Sequence, residues 1–250
     1  MAKGDSVWCD LSAFRLEEAK AFYARLFGWT YERLTQPDSS PYDVASTPDG
    51  EAAGIFEMPQ KLQQIGLPSF WMPYFAVDSV EAACDQAARR GGKVEVPPLA
   101  WSSHDRIALI RDPLGAGFTA YEGTGLNPRH SLTAPGQMVW RALYVSDAAA
   151  VRDFYEAVFD WRISKQPGAD GGFLATTAGD VPVANIHALS EDLRGAYQFW
   201  GIHFLVPTLP DAKAKIEAQG GKIIYVDKGH SRTTVLAGDP DGAAFFVRAQ

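Results

Sequence analysis

Apolar positions along the chain follow two different periods. Ala19, Phe22, Tyr23, Leu26 and Phe27 fall at i, i+3, i+4, i+7 and i+8, which is one stripe of an α-helix. Val151, Phe154, Tyr155, Val158 and Phe159 repeat that spacing, as do Val80, Ala83, Cys84, Ala87 and Ala88. A fourth, weaker helix is expected around Pro210 to Gln219, anchored by Ala212 and Ile216. Gly28, Gly91-Gly92 and Gly220-Gly221 follow three of these stripes as stop signals; Asp160 stands where the fourth would want glycine. A β-type run precedes every helix: VWCDLS, MPYFAVD, VWRALYVS and GIHFLVP. Three more are expected after each helix. Asp-Pro-x-Gly joins the last two in DPLGAGF and DPDGAAF, where Pro presets the turn and Gly closes it. The predicted order is strand, helix, strand, strand, strand, four times over.

The pattern is also an internal repeat. An offset of 132 carries Trp8 onto Trp140 and AFYARLFGW (Ala21–Trp29) onto DFYEAVFDW (Asp153–Trp161). An offset of 127 carries DPLGAGF onto DPDGAAF, and Trp71 pairs with Trp200. His104-Asp105-Arg106 pairs with His230-Ser231-Arg232, whereas Trp101 has no counterpart. Between the halves, residues 123–137 are rich in Gly, Pro, Ser and Thr and read as a linker.

Composition narrows the function classes. The chain of 250 residues is long enough for two domains and carries a formal net charge of −7 without a Lys/Arg run, which argues against nucleic-acid binding. Two cysteines, Cys9 and Cys84, make neither a disulfide framework nor a thiolate cluster. No stretch approaches the roughly 20 apolar residues of a membrane span, and MAKGDSVW lacks an apolar signal core. The expectation is a soluble cytoplasmic protein. There is no phosphate loop, nucleotide fingerprint or nucleophile elbow; Ser102-Ser103-His104-Asp105 has the residue types of a triad, but triads are assembled from distant segments.

The βαβββ order, FYARLFGW on the first helix and DPLGAGF entering the last strand resemble the vicinal oxygen chelate superfamily, which includes glyoxalase I, bleomycin-resistance proteins and extradiol dioxygenases. The resemblance spans Ser6 to Ala249 and implies an α+β fold: four βαβββ units forming two glyoxalase-like domains, residues 6–122 and 138–249. It implies a curled sheet in each, with ligand or metal in the resulting cup. Catalytic relatives hold a divalent ion through strand positions that are usually His, Gln or Glu. The corresponding positions here are Trp8, Glu57, Met72 and Thr119, then Trp140, Ala188 (or His187, one residue back), Gly201 and Phe246. Indole is no metal ligand, and one carboxylate does not hold an ion. No metal and no other cofactor is therefore expected, and a divalent ion enters only if the ligands stand in another register.

Strand alternation then selects the cup-facing side chains. They are Trp8, Asp10, Glu57, Tyr74, Thr119 and Tyr121 in the first half, with Trp101 as a further contact, and Trp140, Tyr144, His203, Phe246 and Arg248 in the second. Each has a structural alternative: the indoles as core, Asp10 and His203 as hydrogen-bonded structural groups, Glu57 as a solvated strand end. Three readings stay open. One is a binding protein for a small, partly aromatic or apolar molecule. The second is a metal-dependent glyoxalase-, isomerase- or dioxygenase-type enzyme using Glu57, His187 or His203. The third is a metal-free enzyme with Asp10 or Glu57 as base. Asp10 has no acidic counterpart in VWRAL, which favours the first half as the working site. Because single-domain relatives pair to build their cups, a fused chain is expected to be a monomer or loose dimer.

Overall fold

A computed structural model describes the chain except for residues 36–39, 65, 130–132, 167–171, 229–232 and 250. His230, Ser231 and Arg232, and part of the expected linker, lie outside the described residues. The first βαβββ unit is β1 (Ser6–Ala13), α1 (Leu16–Phe27), β2 (Thr30–Thr35), β3 (Pro41–Thr47) and β4 (Gly50–Glu57). A short helix α2 (Gln60–Gln64) leads to the second: β5 (Phe70–Ala76), α3 (Val80–Arg89), β6 (Lys93–Ala100), β7 (Arg106–Arg111) and β8 (Gly117–Glu122). The third is β9 (Met138–Val145), α4 (Arg152–Phe159), β10 (Arg162–Lys165), β11 (Phe173–Thr176) and β12 (Pro182–Ala188). After α5 (Glu191–Arg194) the fourth is β13 (Phe199–Val206), α6 (Leu209–Ala218), β14 (Lys222–Lys228), β15 (Thr233–Gly238) and β16 (Ala244–Ala249). The fold is α+β, as the pattern predicts; α2 and α5 are additions too short to carry a periodic signal.

The strands form two eight-stranded sheets, ordered β2-β3-β4-β1-β5-β8-β7-β6 and β10-β11-β12-β9-β13-β16-β15-β14. The second order repeats the first, as duplication requires. Within each unit the first strand runs parallel to the last, β1 with β4 and β5 with β8, while the remaining pairs are antiparallel.

The compact units do not follow the sequence halves. One comprises Met1–Trp8, Pro73–His130 and Trp140–Gly201; the other comprises Cys9–Met72, Ser131–Val139 and Ile202–Gln250. Each core therefore mixes the two halves. In the first, the α3 stripe (Val80, Ala83, Cys84, Ala87) meets Phe154, Tyr155 and Val158 of α4 over Phe75 and Phe118. In the second, Ala19, Phe22, Tyr23 and Leu26 of α1 share a core with Ala212 and Ile216 of α6. Ala88, expected in the α3 stripe, is exposed at the helix end.

Three repeated motifs of the sequence meet in these cores. Tyr23 donates its hydroxyl to Asp239 at 3.1 Å and accepts from the Trp71 indole at 3.0 Å. Tyr155 does the same with Asp112 at 3.0 Å and Trp200 at 3.2 Å. Asp112 also accepts the backbone N–H groups of Leu114, Gly115 and Ala116, so it holds its turn and a helix of the other half together. Burial of these carboxylates pushes Asp239 up to about 6 and raises Asp112 as well. Trp29 and Trp161, which end the two repeated helix segments, are buried and donate to the carbonyls of Gly136 and Gly4. Gly28 and Asp160 both take the left-handed conformation past their helices, Asp160 with φ of 55°.

Candidate functional site

The sheet face away from the helices carries the candidates in three clusters, two in the first compact unit and one in the second. The first begins with Trp8, only 1% exposed. Arg129, from the linker, places its guanidinium 4.3 Å from the centre of the Trp8 ring and donates to the Val7 carbonyl at 3.0 Å. The Arg129 amide bonds the Ser6 carbonyl at 2.8 Å, so the linker runs along β1. Tyr74 stands opposite Thr119 across β5 and β8, with Tyr121 two residues further on that face. Trp101 lies between the two tyrosines, with ring centres 6.1 Å from Tyr74 and 6.0 Å from Tyr121. Tyr74, Thr119 and Tyr121 are all buried.

The triad-like stretch is a loop clasp. Asp105 accepts from Tyr121 Oη at 2.6 Å, from the Thr124 and Gly125 amides at 3.0 Å each, and from Ser102 Oγ at 2.7 Å. Burial opposes ionisation of Asp105, but these donors outweigh it and lower its pKa, which makes it a poor base. Burial and the same carboxylate push Tyr121 up to about 12. His104 is exposed and contributes its backbone amide, not its ring, to the Ser102 hydroxyl.

The second cluster is on β9, β12 and β13. Ala142 is the register partner of Asn185, and Tyr144 that of His187. The Trp140 indole donates to Asn185 Oδ1 at 2.8 Å. Asn185 Nδ2 in turn donates to Gln166 Oε1 at 3.1 Å and to the Phe173 carbonyl at 3.4 Å. Tyr144 stacks on His187 with ring centres 5.5 Å apart, and Phe199 lies 5.4 Å from Tyr144 on its tilted side. Trp140, Asn185, His187 and Phe199 are half-buried, unlike Trp8 and Tyr121. Arg141 lies 5.4 Å from the Trp140 ring centre.

In the second compact unit, His203 stacks on its register partner Phe246 with ring centres 4.4 Å apart and planes nearly parallel at 7°. Arg248, two residues on, donates to the Val139 carbonyl at 3.1 Å. Asp10 is buried there and pairs in register with Gly54, while Glu57 pairs with Ala13. Asp10 and Glu57 thus point to opposite faces: Glu57 shares its face with the core residues Leu11 and Ile55 and ends exposed at the strand terminus. The residue on Asp10's face is Phe56, one position earlier. The second half has the same phase. His187 shares the face of Trp140 and Tyr144, and Ala188 is the partner of core residue Val145.

Register exposes a feature the sequence comparison missed. At one level of the sheet the first half has Asp10 beside Gly54, and the second has Ala142 beside Asn185. Each half keeps one polar group at that level, but on opposite strands. Gly54 has no room for a side chain: an added Cβ would lie 1.7 Å from the Tyr42 hydroxyl. Two residues of the faces, Asn185 and Arg129, carried no signal in the sequence.

The donor set at the carried-over positions does not suit a divalent ion. Trp8, Met72, Thr119, Trp140, Gly201 and Phe246 offer no nitrogen or carboxylate ligand, and Glu57 is turned to the opposite face. Among the described residues no group of three or more His, Cys, Asp and Glu could hold a metal ion. Also among them, no helix is long and apolar enough to cross a membrane.

Comparison with known proteins agrees with this architecture. The sequence profile of the Glyoxalase/Bleomycin resistance protein/Dioxygenase superfamily matches residues 6–119 and 137–246. The chain is 30% identical to "Putative glyoxylase CFP32" of Mycobacterium tuberculosis, covering 98% of this chain and 94% of that protein. It is 28% identical to "Anthracycline biosynthesis protein DnrV" of Streptomyces peucetius, covering 98% and 93%. Similar solved structures include the Mn(II)-bound glyoxalase from Novosphingobium aromaticivorans, with TM-score 0.64, 14% identity and coverage of 100% and 83%. The 2,3-dioxygenase LapB from Pseudomonas sp. KL28 gives TM-score 0.64, 17% identity and coverage of 100% and 93%. With two profile matches and four βαβββ units, the chain belongs to the Glyoxalase/Bleomycin resistance protein/Dioxygenase superfamily, as a member with the domain repeated in tandem.

Proposed function

We propose that the protein binds a small, planar, partly aromatic molecule on the Trp140 face, and that the superfamily's metal-ligand positions have been lost from both halves. The observation carrying this reading is the half-buried group of Trp140, His187 and Phe199, backed by the buried ring of Tyr144, around one oriented amide, Asn185. Aromatic walls with a few placed polar groups are the ordinary make-up of a small-molecule site. The first half, favoured by its acid, is the weaker candidate: Trp8, Asp10, Tyr74, Thr119 and Tyr121 are all buried, and Arg129 already lies on the Trp8 ring. The relative named for anthracycline biosynthesis supports a planar ligand, because anthracyclines are fused aromatic ring systems.

A second reading keeps a metal-dependent enzyme of glyoxalase or dioxygenase type. It is favoured by one placement, His187 on the Trp140 face, and by the Mn(II)-bound glyoxalase among the similar structures. Titration of the protein with a panel of planar quinones and phenols separates the two, when combined with elemental analysis of protein purified without chelator. Binding predicts quenched Trp emission and a raised Tm with substoichiometric Mn, Fe, Ni and Zn. Stoichiometric metal supports the second reading, and a flat titration across the panel defeats the first.

A further inference from the structure

We infer that Gln166 and Asn185 are positioning residues that hold the Trp140 indole as a fixed wall of the ligand site. The inference rests on the reading that this face binds the ligand. The geometry is a relay with one direction. The Gln166 amide N–H donates to the Gly172 carbonyl at 3.0 Å, which fixes the backbone just beyond β10. Its side-chain oxygen accepts one Asn185 N–H at 3.1 Å, and the Phe173 carbonyl accepts from the same nitrogen at 3.4 Å. With its nitrogen so held, Asn185 can only turn its oxygen toward β9. That oxygen accepts the indole N–H of Trp140 at 2.8 Å. Indole nitrogen donates and never accepts, so an amide turned the other way would oppose two donors.

The consequence is pre-organisation. Trp140 is half-buried and could otherwise sample other rotamers; a ligand would then have to immobilise it on binding, at a cost in side-chain entropy. The relay meets that cost during folding. It also explains why the polar group stands on β12. Ala142, the register partner of Asn185, has no polar side-chain atom, so the acceptor for the indole N–H comes from the neighbouring strand.

The test uses full-length protein labelled with 5-fluorotryptophan, the Trp140 resonance being identified by its loss in Trp140→Phe. The probe ligand is the planar quinone 1,4-dihydroxyanthraquinone. In Asn185→Leu and Gln166→Leu the Trp140 fluorine resonance shifts and broadens, and probe affinity falls about 3- to 10-fold, the scale of one net hydrogen bond. Gln166→Glu retains an acceptor for Asn185 and keeps both the resonance and the affinity near wild type. An unchanged Trp140 resonance in both leucine variants overturns the inference. If the resonance moves as expected but wild-type protein does not bind the quinone, the positioning stands and the ligand reading falls.

Discussion

The Trp8 face and the Trp140 face descend from one pattern, yet they have been completed in opposite ways. On the first, a linker arginine covers the indole; elsewhere in the same half, Asp10 is a buried acid and the strand paired with it is reduced to glycine beside a tyrosine. On the second, the indole is half-buried, the strand beneath it carries alanine and the neighbouring strand supplies an amide. The helix sides of the sheets did not diverge: both keep the Tyr–Asp–Trp bonds across the halves. Duplication followed by loss of constraint would not confine change to one side. The pattern is that of a scaffold kept constant while one face was closed over and the other left half-buried, which is what the proposed ligand site requires.

The largest expected effect is on the closed face. Trp8→Ala should cost about 3–5 kcal/mol of stability, as large-to-small changes of buried aromatics do, measured as the shift in urea midpoint. Trp140→Ala should cost less than half as much, because its indole is only half-buried. Equal losses would erase the difference between the faces.

The constant side can be tested by pH. Asp239 is raised to about 6 in the folded chain from the ordinary carboxylate value near 4. The folded state then binds more protons than the unfolded one between those values, so this group favours folding at the acid end and loses that contribution as pH rises through about 6. The stability of wild type relative to Asp239→Asn should therefore improve by up to about 3 kcal/mol on going from pH 7 to pH 4. Asp112→Asn should change in the same direction, its carboxylate being raised by the same burial. Opposite slopes would break the claim that the two cores are built alike.

Smaller effects sharpen the comparison. Gly54→Ala forces a methyl group into the Tyr42 hydroxyl and should cost about 1–3 kcal/mol, read by thermal unfolding. Arg129→Ala removes the cation over Trp8 and should cost about 0.5–2 kcal/mol, while leaving ligand affinity unchanged. An affinity gain in Arg129→Ala would mean that the first face is a blocked site rather than a closed one.

Much of the fold was legible in the chain, because its signals are local. Helical stripes, Asp-Pro-x-Gly turns and the two FY segments fix the βαβββ order without reference to partners. The interleaving of the cores was not, since a stripe such as Val80–Ala87 says that a face is buried but not which helix covers it. The site was read less well for a related reason. Facing depends on pairing, and a one-residue difference in phase exchanges Glu57 for Phe56 and Ala188 for His187. Comparison of VWCDL with VWRAL shows that Asp10 has no acidic counterpart in the second half, but not that a neutral amide, Asn185, stands at the same level on the adjacent strand. Arg129 lies in an aperiodic linker, where no spacing rule could place it on Trp8.

The most direct test of the account is a paired titration of Trp8→Phe and Trp140→Phe with 1,4-dihydroxyanthraquinone by calorimetry, under conditions where both variants are folded. Trp140→Phe should weaken binding about tenfold or more, and Trp8→Phe should bind within about twofold of wild type. Loss of binding in Trp8→Phe with retention in Trp140→Phe would contradict it.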